Sequence, residues 1–333
     1  MDRTTNVAAV KITVLSGGVG GARFLRGLRE HVRQTTGGEH ETAESLTAIV
    51  NTGDDMWLSG LRIAPDLDSI MYTLAGQNDE VRGWGRVGET ERVSGELRAY
   101  DVGWPWFTLG DLDIGTHLAR TSMLRDGLTL AEATERITSR WPLGVRLIPA
   151  TNAEVETHVL VDGGETMHFQ EWWTRHRATL PARAFVQRGV ETAAPADGVL
   201  DAIARADVVL LAPSNPVVSI GTILGIPGIR DAVASTRARV VGVSPIIGGA
   251  VVRGMADACL AAIGVDTSAS AVARHYGSRG SGGLLDAWLI GEEDAALAAD
   301  IEAAGIRTSV VPLWMRDIPT SAALAAAALA AAT

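Results

Sequence analysis

Apolar and polar positions fall into blocks that read as alternating strands and helices. Residues 9–15 (AVKITVL) are short, rich in β-branched side chains and closed by glycine, which predicts a buried strand. SGGVGG at 16–21 predicts a loop. Residues 22–33 follow with Ala22, Leu25 and Leu28 on one helical face. Residues 47–51 (TAIVN) are a second expected strand. A strand–loop–helix–strand unit of this kind usually belongs to a parallel sheet. Pro65, with acids just behind it, opens a helix at PDLDSIMYTLAG. The rhythm then breaks. Residues 83–110 mix glycines with Trp84, Trp104 and Trp106, 112–126 and 129–140 have helical spacing, and 145–170 alternates like strands and runs into MHFQEWW. It returns with strands at 207–212 (DVVLLA) and 239–243 (RVVGV), a helix at 254–263 and a last strand at 307–312 (RTSVVP). The alanine run at 322–332 predicts a terminal helix, and GSRGSGG at 277–283 a mobile loop.

The expectation is an α/β fold: a Rossmann-like, mostly parallel sheet with helices on both faces and an inserted, mostly helical subdomain. Residues 1–80 and 196–333 form the nucleotide-binding core and 81–195 the insertion. Composition narrows the function. The 333 residues carry 29 Lys and Arg against 39 Asp and Glu, a net charge of −10, which argues against a general nucleic-acid binder. Hydrophobic residues at 47% and charged residues at 20% fit a globular chain rather than a disordered one. Cys259 is the sole cysteine, so it makes no internal disulfide and no thiolate metal site, and reads as a core residue. The apolar N-terminal stretch runs into glycines like a first strand rather than a signal peptide, and no run reaches the length of a membrane helix. A cytoplasmic enzyme that leaves membranes alone is expected, with a homodimer as the assembly.

Five stretches carry candidate chemistry. Gly17, Gly18, Gly20 and Gly21, followed by Arg23, let backbone N–H groups approach a phosphate at a helix start. They match neither a full dinucleotide fingerprint nor a Walker loop. Asp54, Asp55, Asp66 and Asp68 gather after a strand's carboxyl end, where open α/β sheets bind ligands. Such hard oxygen donors suit Mg²⁺, although each singly could be a helix cap. Asp111 and Asp113 precede His117, and Asp113 and His117 share a helix face, either towards substrate or as a capped, hydrogen-bonded pair. Ser214 and Asn215 between two prolines, and Ser244 to Gly249, end two later strands as ligand loops or plain turns. Seven of nine tryptophans lie between 57 and 173. Trp57 and Trp84 are the candidates to meet a flat ring, while His158, His168 and His176 read as structural.

The segments KITVLSGGVGGARFLRGL, NTGDDMWLSGLRIAPDLDSIMYTLAG, LGDLDIGTHLARTSMLRDG, MHFQEWW, LLAPSNPVVSIGTILGIPGIRDA and VVGVSPIIGGAVVRGMADACL occur in an order that resembles the 2-phospho-L-lactate transferase family of coenzyme F420 biosynthesis, from about residue 11 to about 265. The leader before Lys11 and the alanine-rich tail depart from the family pattern. The resemblance implies transfer of a phospho-acid unit, lactyl or enolpyruvyl, from a guanosine diphosphate-linked donor to the ribityl hydroxyl of the deazaflavin Fo. GMP is released and Mg²⁺ is required. The actinobacterial branch is the enolpyruvyl-using one, whose product is dehydro coenzyme F420-0. The family's acceptor-contacting aspartate falls on Asp68. A second acceptor position falls on Thr108, where other members can carry lysine, a charge threonine lacks. The glycine loop matches Gly17 to Gly21 and the base-side motif Ser214 and Asn215.

These implications set the expected roles. Mg²⁺ is held by Asp54 and Asp68, and Asp68 or Asp55 takes the hydroxyl proton. Arg23 neutralises the leaving phosphate. Trp57, Trp84, Thr108 and Asp111 contact the substrates. Two alternatives remain at this stage. A nucleotide-dependent oxidoreductase would place Asp54 on a ribose. A non-catalytic metabolite-sensing regulator of related fold would need no acidic cluster.

Overall fold

The computed structural model describes residues 10–36, 42 and 45–333. Its strands are, in chain order, β1 (Ile12–Ser16), β2 (Leu46–Val50), β3 (Met56–Leu58), β4 (Leu61–Ile63), β5 (Arg146–Pro149), β6 (Glu156–Val161), β7 (Thr166–His168), β8 (Ala182–Arg188), β9 (Val208–Leu211), β10 (Arg239–Val243), β11 (Ile246–Ile247), β12 (Ala250–Val251), β13 (Ala287–Ile290) and β14 (Arg307–Val310). Seven of them form one sheet in the order β14–β13–β10–β9–β1–β2–β5, every pair parallel. The chain winds outward from β1 through β2 to β5, then returns to the other side of β1 at β9 and winds away. The order therefore reverses between β1 and β9, and the loops leaving their carboxyl ends part to open a crevice.

Both faces of this sheet are buried, as a parallel sheet requires. Leu15, Ile49, Val209, Leu211 and Val240 point into one core, with Trp172 and Trp288. Val14, Ala48, Val50, Leu210 and Val241 point into the other, with Phe24, Leu25 and Leu28. Helix α1 (Gly18–Thr36) packs on that second face against the C-terminal helix Ile318–Ala330. A Cβ at Gly27 would lie 2.4 Å from the Ser321 backbone, so the two helices touch main chain to main chain. That close approach accounts for the alanines of the last helix.

Several expectations change. Helix α1 begins at Gly18, not at residue 22, so the glycines are its first turn rather than a preceding loop. First-turn N–H groups need no intrahelical acceptor, so glycine costs least there and leaves them free to face outward. Segment 81–195 is helical in its first part (Arg92–Ala99, Asp111–Arg125, Leu130–Thr138) and stranded in its second. There β5 joins the main sheet beside β2, and β6, β7 and β8 make an antiparallel sheet of their own. Strand β13 (AWLI) escaped the pattern because it carries a single β-branched residue, Ile290, where β9 of equal length (VVLL) carries two.

Candidate active site

Five stretches of the crevice wall each follow the carboxyl end of a strand of the main sheet. Gly17–Gly20 and Arg23 follow β1, Asp54, Asp66 and Asp68 follow β2, Pro213–Asn215 follow β9, Ser244 follows β10 and Leu313–Arg316 follow β14, whereas Asp55 is fully buried outside the lining. Together with residues of the 83–117 and 169–177 segments they enclose a cleft of about 1090 Å³. The glycines are there because nothing larger fits. A Cβ on Gly17 would lie 2.5 Å from Asp66 Oδ2, one on Gly20 2.5 Å from the Pro213 carbonyl, and one on Gly21 2.1 Å from Ser16 Oγ. Gly18 also has a left-handed φ of 61°. Ser214 latches the β1 and β9 loops together, its hydroxyl donating to the Gly17 carbonyl (2.7 Å) and accepting from the Gly17 N–H (3.0 Å).

The acids divide into two groups. Asn51, at the end of β2, donates through Nδ2 to Asp66 Oδ2 (2.9 Å) and lies 3.4 Å from Asp54 Oδ1. Among the described residues no ion pair reaches Asp54 or Asp66. Burial, reinforced by Asp66 and Asp55, holds the Asp54 carboxyl well above the ordinary carboxylate range. Burial pushes Asp66 up to about 6. It pushes Asp55 up to about 7 even though Arg62 Nη2 stands 3.6 Å from its Oδ2. Both Asp55 oxygens are buried without a hydrogen-bond donor. In the second group Arg120 grips both oxygens of Asp68, at 3.0 Å from Nη1 to Oδ2 and through Nη2 to Oδ1. His117 bridges the pair of acids, with Nδ1 3.4 Å from Asp68 Oδ2 and Nε2 3.3 Å from Asp113 Oδ1. Tyr72 donates to Asp113 Oδ1 at 2.8 Å. Burial raises the Asp113 pKa, but His117 and Tyr72 outweigh it and hold the carboxyl below its usual value.

Either group offers oxygen donors to a cation. Ligand atoms of Asp68, Asp113 and His117 lie within 4.8 Å of one another. Arg120 already supplies positive charge to that set, whereas Asp54 and Asp66 face the cleft beside the glycine turn with none. Buried carboxylates without counter-charge fit a hard divalent ion.

The rest of the cleft is aromatic and basic. Trp106 is stacked on Trp104 (centroids 4.7 Å apart, planes 18°) and shares the wall with Phe107, Trp173 and Trp314. Trp84 lines the mouth under the Arg82 guanidinium, 3.8 Å from its ring centroid. Arg23, Arg177, Arg253 and Arg316 all line the cleft. Of the expected contacts, Trp84 and Thr108 are in the wall, and Arg98 Nη1 donates to Thr108 Oγ1 at 3.3 Å, bringing a cation to a position where threonine carries none. Asn215 lines the cleft, but its Oδ1 accepts from the N–H groups of Val217 (2.9 Å) and Val218 (3.2 Å). Trp57 stands on the β3–β4 hairpin outside the lining, its Nε1 donating to Glu154 Oε1 at 2.8 Å. Asp111 also lies outside it, taking hydrogen bonds from the Thr90 hydroxyl and the Val93 N–H (3.1 Å).

Comparison with known proteins decides the family. The model described as 2-phospho-L-lactate transferase CofD matches residues 12–311. The chain belongs to this family. It is a transferase, and of the readings left open above, transfer is the one retained. A phosphoenolpyruvate transferase of Thermobifida fusca is 56% identical over 96% of this chain and 97% of its own length. One of Streptomyces griseus is 53% identical over 96% and 98%, and one of Nocardia farcinica 52% over 96% and 94%. A solved structure of the Bacillus halodurans protein BH3568 shares the fold, with a TM-score of 0.61 at 18% identity over 96% of this chain and 99% of that one. Another structure of that protein, described as a member of the upf0052 family, has a TM-score of 0.60 at 18% identity over 96% and 98%.

Of the arginine wall, sequence reasoning found Arg23 and missed Arg177, Arg253 and Arg316, and it missed Trp106, Trp173 and Trp314. No local pattern marks them, because they reach the cleft from segments far apart in the chain. Among the described residues no helix is long and apolar enough to cross a membrane.

Proposed function

We propose that the chain moves a phosphoenolpyruvate unit, or 2-phospho-L-lactate, from a guanosine diphosphate-linked donor to the ribityl hydroxyl of Fo, releasing GMP. What supports this is one juxtaposition: buried carboxylates without counter-charge lie against a glycine helix start at the sheet's switch point, in a cleft whose other walls are arginine and aromatic. A diphosphate finds helix N–H groups and Arg23. A flat acceptor finds Trp106 and Trp84. Ser214 and Asn215 border the nucleoside end.

The hydroxyl oxygen attacks the phosphorus that bears the three-carbon acid. A new P–O bond forms, the bond to the bridging oxygen of the diphosphate breaks, and GMP leaves with that electron pair. The protein's share is mainly placement and charge stabilisation. Asp68, held from behind by Arg120, receives the hydroxyl's hydrogen bond, and Asp68 or Asp55 takes its proton. Arg23 offsets charge gathering on the departing phosphate. Mg²⁺ would be held by Asp54, with Asp66 beside it and Asp68 on the acceptor side, and when bound supplies Lewis-acid charge to the phosphate oxygens. The aromatic walls exclude water, which would otherwise take the phospho-acid.

The test is to incubate the chain with Fo, each candidate donor and Mg²⁺ and to follow GMP release and the mass of the deazaflavin product. The expected gain is one phosphoenolpyruvyl or phospholactyl unit. Fo returned unmodified with both donors would sink the reading.

A further inference from the structure

One buried cation stands just behind the cleft. Arg120, on the Asp111–Arg125 helix, is 2% exposed and does not line the cavity. Its fork holds both oxygens of Asp68. The same Nη1 donates to the Arg62 carbonyl at 3.3 Å and lies 3.2 Å from His117 Nδ1. One guanidinium thus ties together the Pro65–Leu74 helix, strand β4 and the imidazole beside Asp113. A planar fork on a carboxylate has one orientation, which a lysine ammonium does not reproduce. A carboxylate offers about four lone-pair sites, so bidentate pairing still leaves Asp68 able to accept a hydrogen bond from the cleft. A buried ion pair is weak evidence for stability, since apolar groups of equal volume often do as well. Its value here is geometric.

We propose that Arg120 is a positioning residue for the transfer: it fixes the Asp68 carboxylate from behind so that one edge is presented to the acceptor hydroxyl. The inference rests on the reading above, in which Asp68 meets the acceptor. Arg120 acts only through Asp68 and takes no part in holding the guanosine donor.

The experiment compares wild type, R120K, R120M, D68N and D68N/R120M. It measures steady-state transfer with Fo, donor and Mg²⁺, equilibrium binding of Fo and of GDP by calorimetry, and thermal unfolding. A misplacement of about 1 Å can cost on the order of 100-fold, so R120M should lose about that much kcat and R120K about 10-fold, with GDP affinity changed by less than about 3-fold. R120M leaves Asp68 unpaired and risks unfolding. D68N/R120M removes both charges and keeps the question open to measurement. If Arg120 works through Asp68, the double variant should match D68N in kcat within about 2-fold. Wild-type kcat in R120M overturns the proposal, as does a double variant about 10-fold slower than D68N. No product from wild type overturns the functional reading instead. The Fo-binding arm then decides on Arg120: about 10-fold weaker binding in R120M supports it, and unchanged binding overturns it.

Discussion

The two groups of buried acids sit at one cleft, which Asp54, Asp66, Asp68 and Asp113 line and Asp55 does not, yet they are balanced in opposite ways. Asp68 and Asp113 are surrounded by donors: an arginine fork, an imidazole and a phenol. Asp54 and Asp66 share one amide, Asn51, and repel each other, while Asp55 has the Arg62 guanidinium at 3.6 Å and its carboxylate takes no hydrogen bond among the described residues. A folded chain tolerates uncompensated carboxylates where a ligand supplies the missing charge, and pairs them where their own position is what matters. Under the proposed function, the first group serves cation and phosphate and the second holds the acceptor side still.

Truncation should therefore move stability in opposite directions. Asp68→Ala leaves Arg120 buried and unpaired, an expected loss of about 3–5 kcal/mol. Asp54→Ala relieves repulsion and should stabilise the metal-free chain by about 1 kcal/mol at pH 7. Added Mg²⁺ at a hundred times its dissociation constant should raise wild type by about 2.7 kcal/mol and leave Asp54→Ala unchanged. Denaturant unfolding with EDTA and with Mg²⁺ reads all three. Equal losses in both variants would erase the distinction.

Titration gives the next largest effect, again with opposite signs. The Asp55 carboxyl is raised from 3.8 to about 7, chiefly by burial. Between those values the folded chain keeps a proton that the unfolded chain releases, so stability falls as pH rises through the window. Burial, with His158 nearby, lowers His168 from 6.5 to about 4. There the unfolded chain binds the extra proton, so stability falls as pH drops from 6.5 towards 4. Each contribution is on the order of 3 kcal/mol, and Asp54 and Asp66 add to the aspartate side, so each is read as a difference between variant and wild type. In EDTA, Asp55→Asn should gain stability relative to wild type as pH rises towards 7, and His168→Gln should gain it as pH falls towards 4. A difference from wild type that does not change with pH in either variant would refute the opposed assignment.

What could be read from the chain follows from the range of the forces involved. The β-branched runs of β1, β2, β9 and β10 announce themselves because burial on both faces of a parallel sheet needs continuous apolar stretches. Gly17 to Gly21 and the acids from Asp54 to Asp68 are legible for a related reason: each is a local cluster whose composition exceeds what a turn needs. Strand β13, as short as β9, has one β-branched residue and so lacks that mark. Asp66 and Asp68 differ by two residues and look alike in sequence, yet only one of them meets Arg120, fifty-two residues beyond it. Pairing is decided by tertiary contact, which no spacing encodes. The same applies to Trp57, whose hairpin turns it towards Glu154, and to Arg316, which the last strand delivers to the cleft.

Alanine at two glycines probes the groups more gently. A Cβ on Gly17 would press to 2.5 Å from Asp66 Oδ2 and 2.8 Å from Ser219 Cβ, so Gly17→Ala should cost about 1–3 kcal/mol and cut Mg²⁺-dependent turnover. Gly115, on the helix that carries Asp113, His117 and Arg120, has nothing within 4 Å of its Cβ position. Gly115→Ala should therefore stabilise by about 0.5–1 kcal/mol with turnover unchanged. Thermal unfolding beside steady-state rates reads both, and turnover lost in Gly115→Ala would mean that the second group needs a mobile helix rather than a fixed one.

The smallest effect is expected at Trp57, and it bears on whether the first group extends past the cleft. The ring is 40% exposed and lies 5.9 Å from the guanidinium carbon of Arg62, the residue that faces Asp55. If its only work is to cover Arg62 and bond Glu154, Trp57→Ala should cost at most about 1 kcal/mol, the scale of an exposed cation–π contact. Fo affinity should then stay within about 2-fold, whereas Trp106→Ala, which strips a ring from the cleft wall, should weaken Fo by about 1–3 kcal/mol, the scale of aromatic stacking on a flat base. Calorimetric titration of Fo into both variants makes the comparison. A larger loss at Trp57 than at Trp106 would move the acceptor onto the β3–β4 hairpin, beside Asp55 and Arg62, and would give the proton to Asp55 rather than to Asp68.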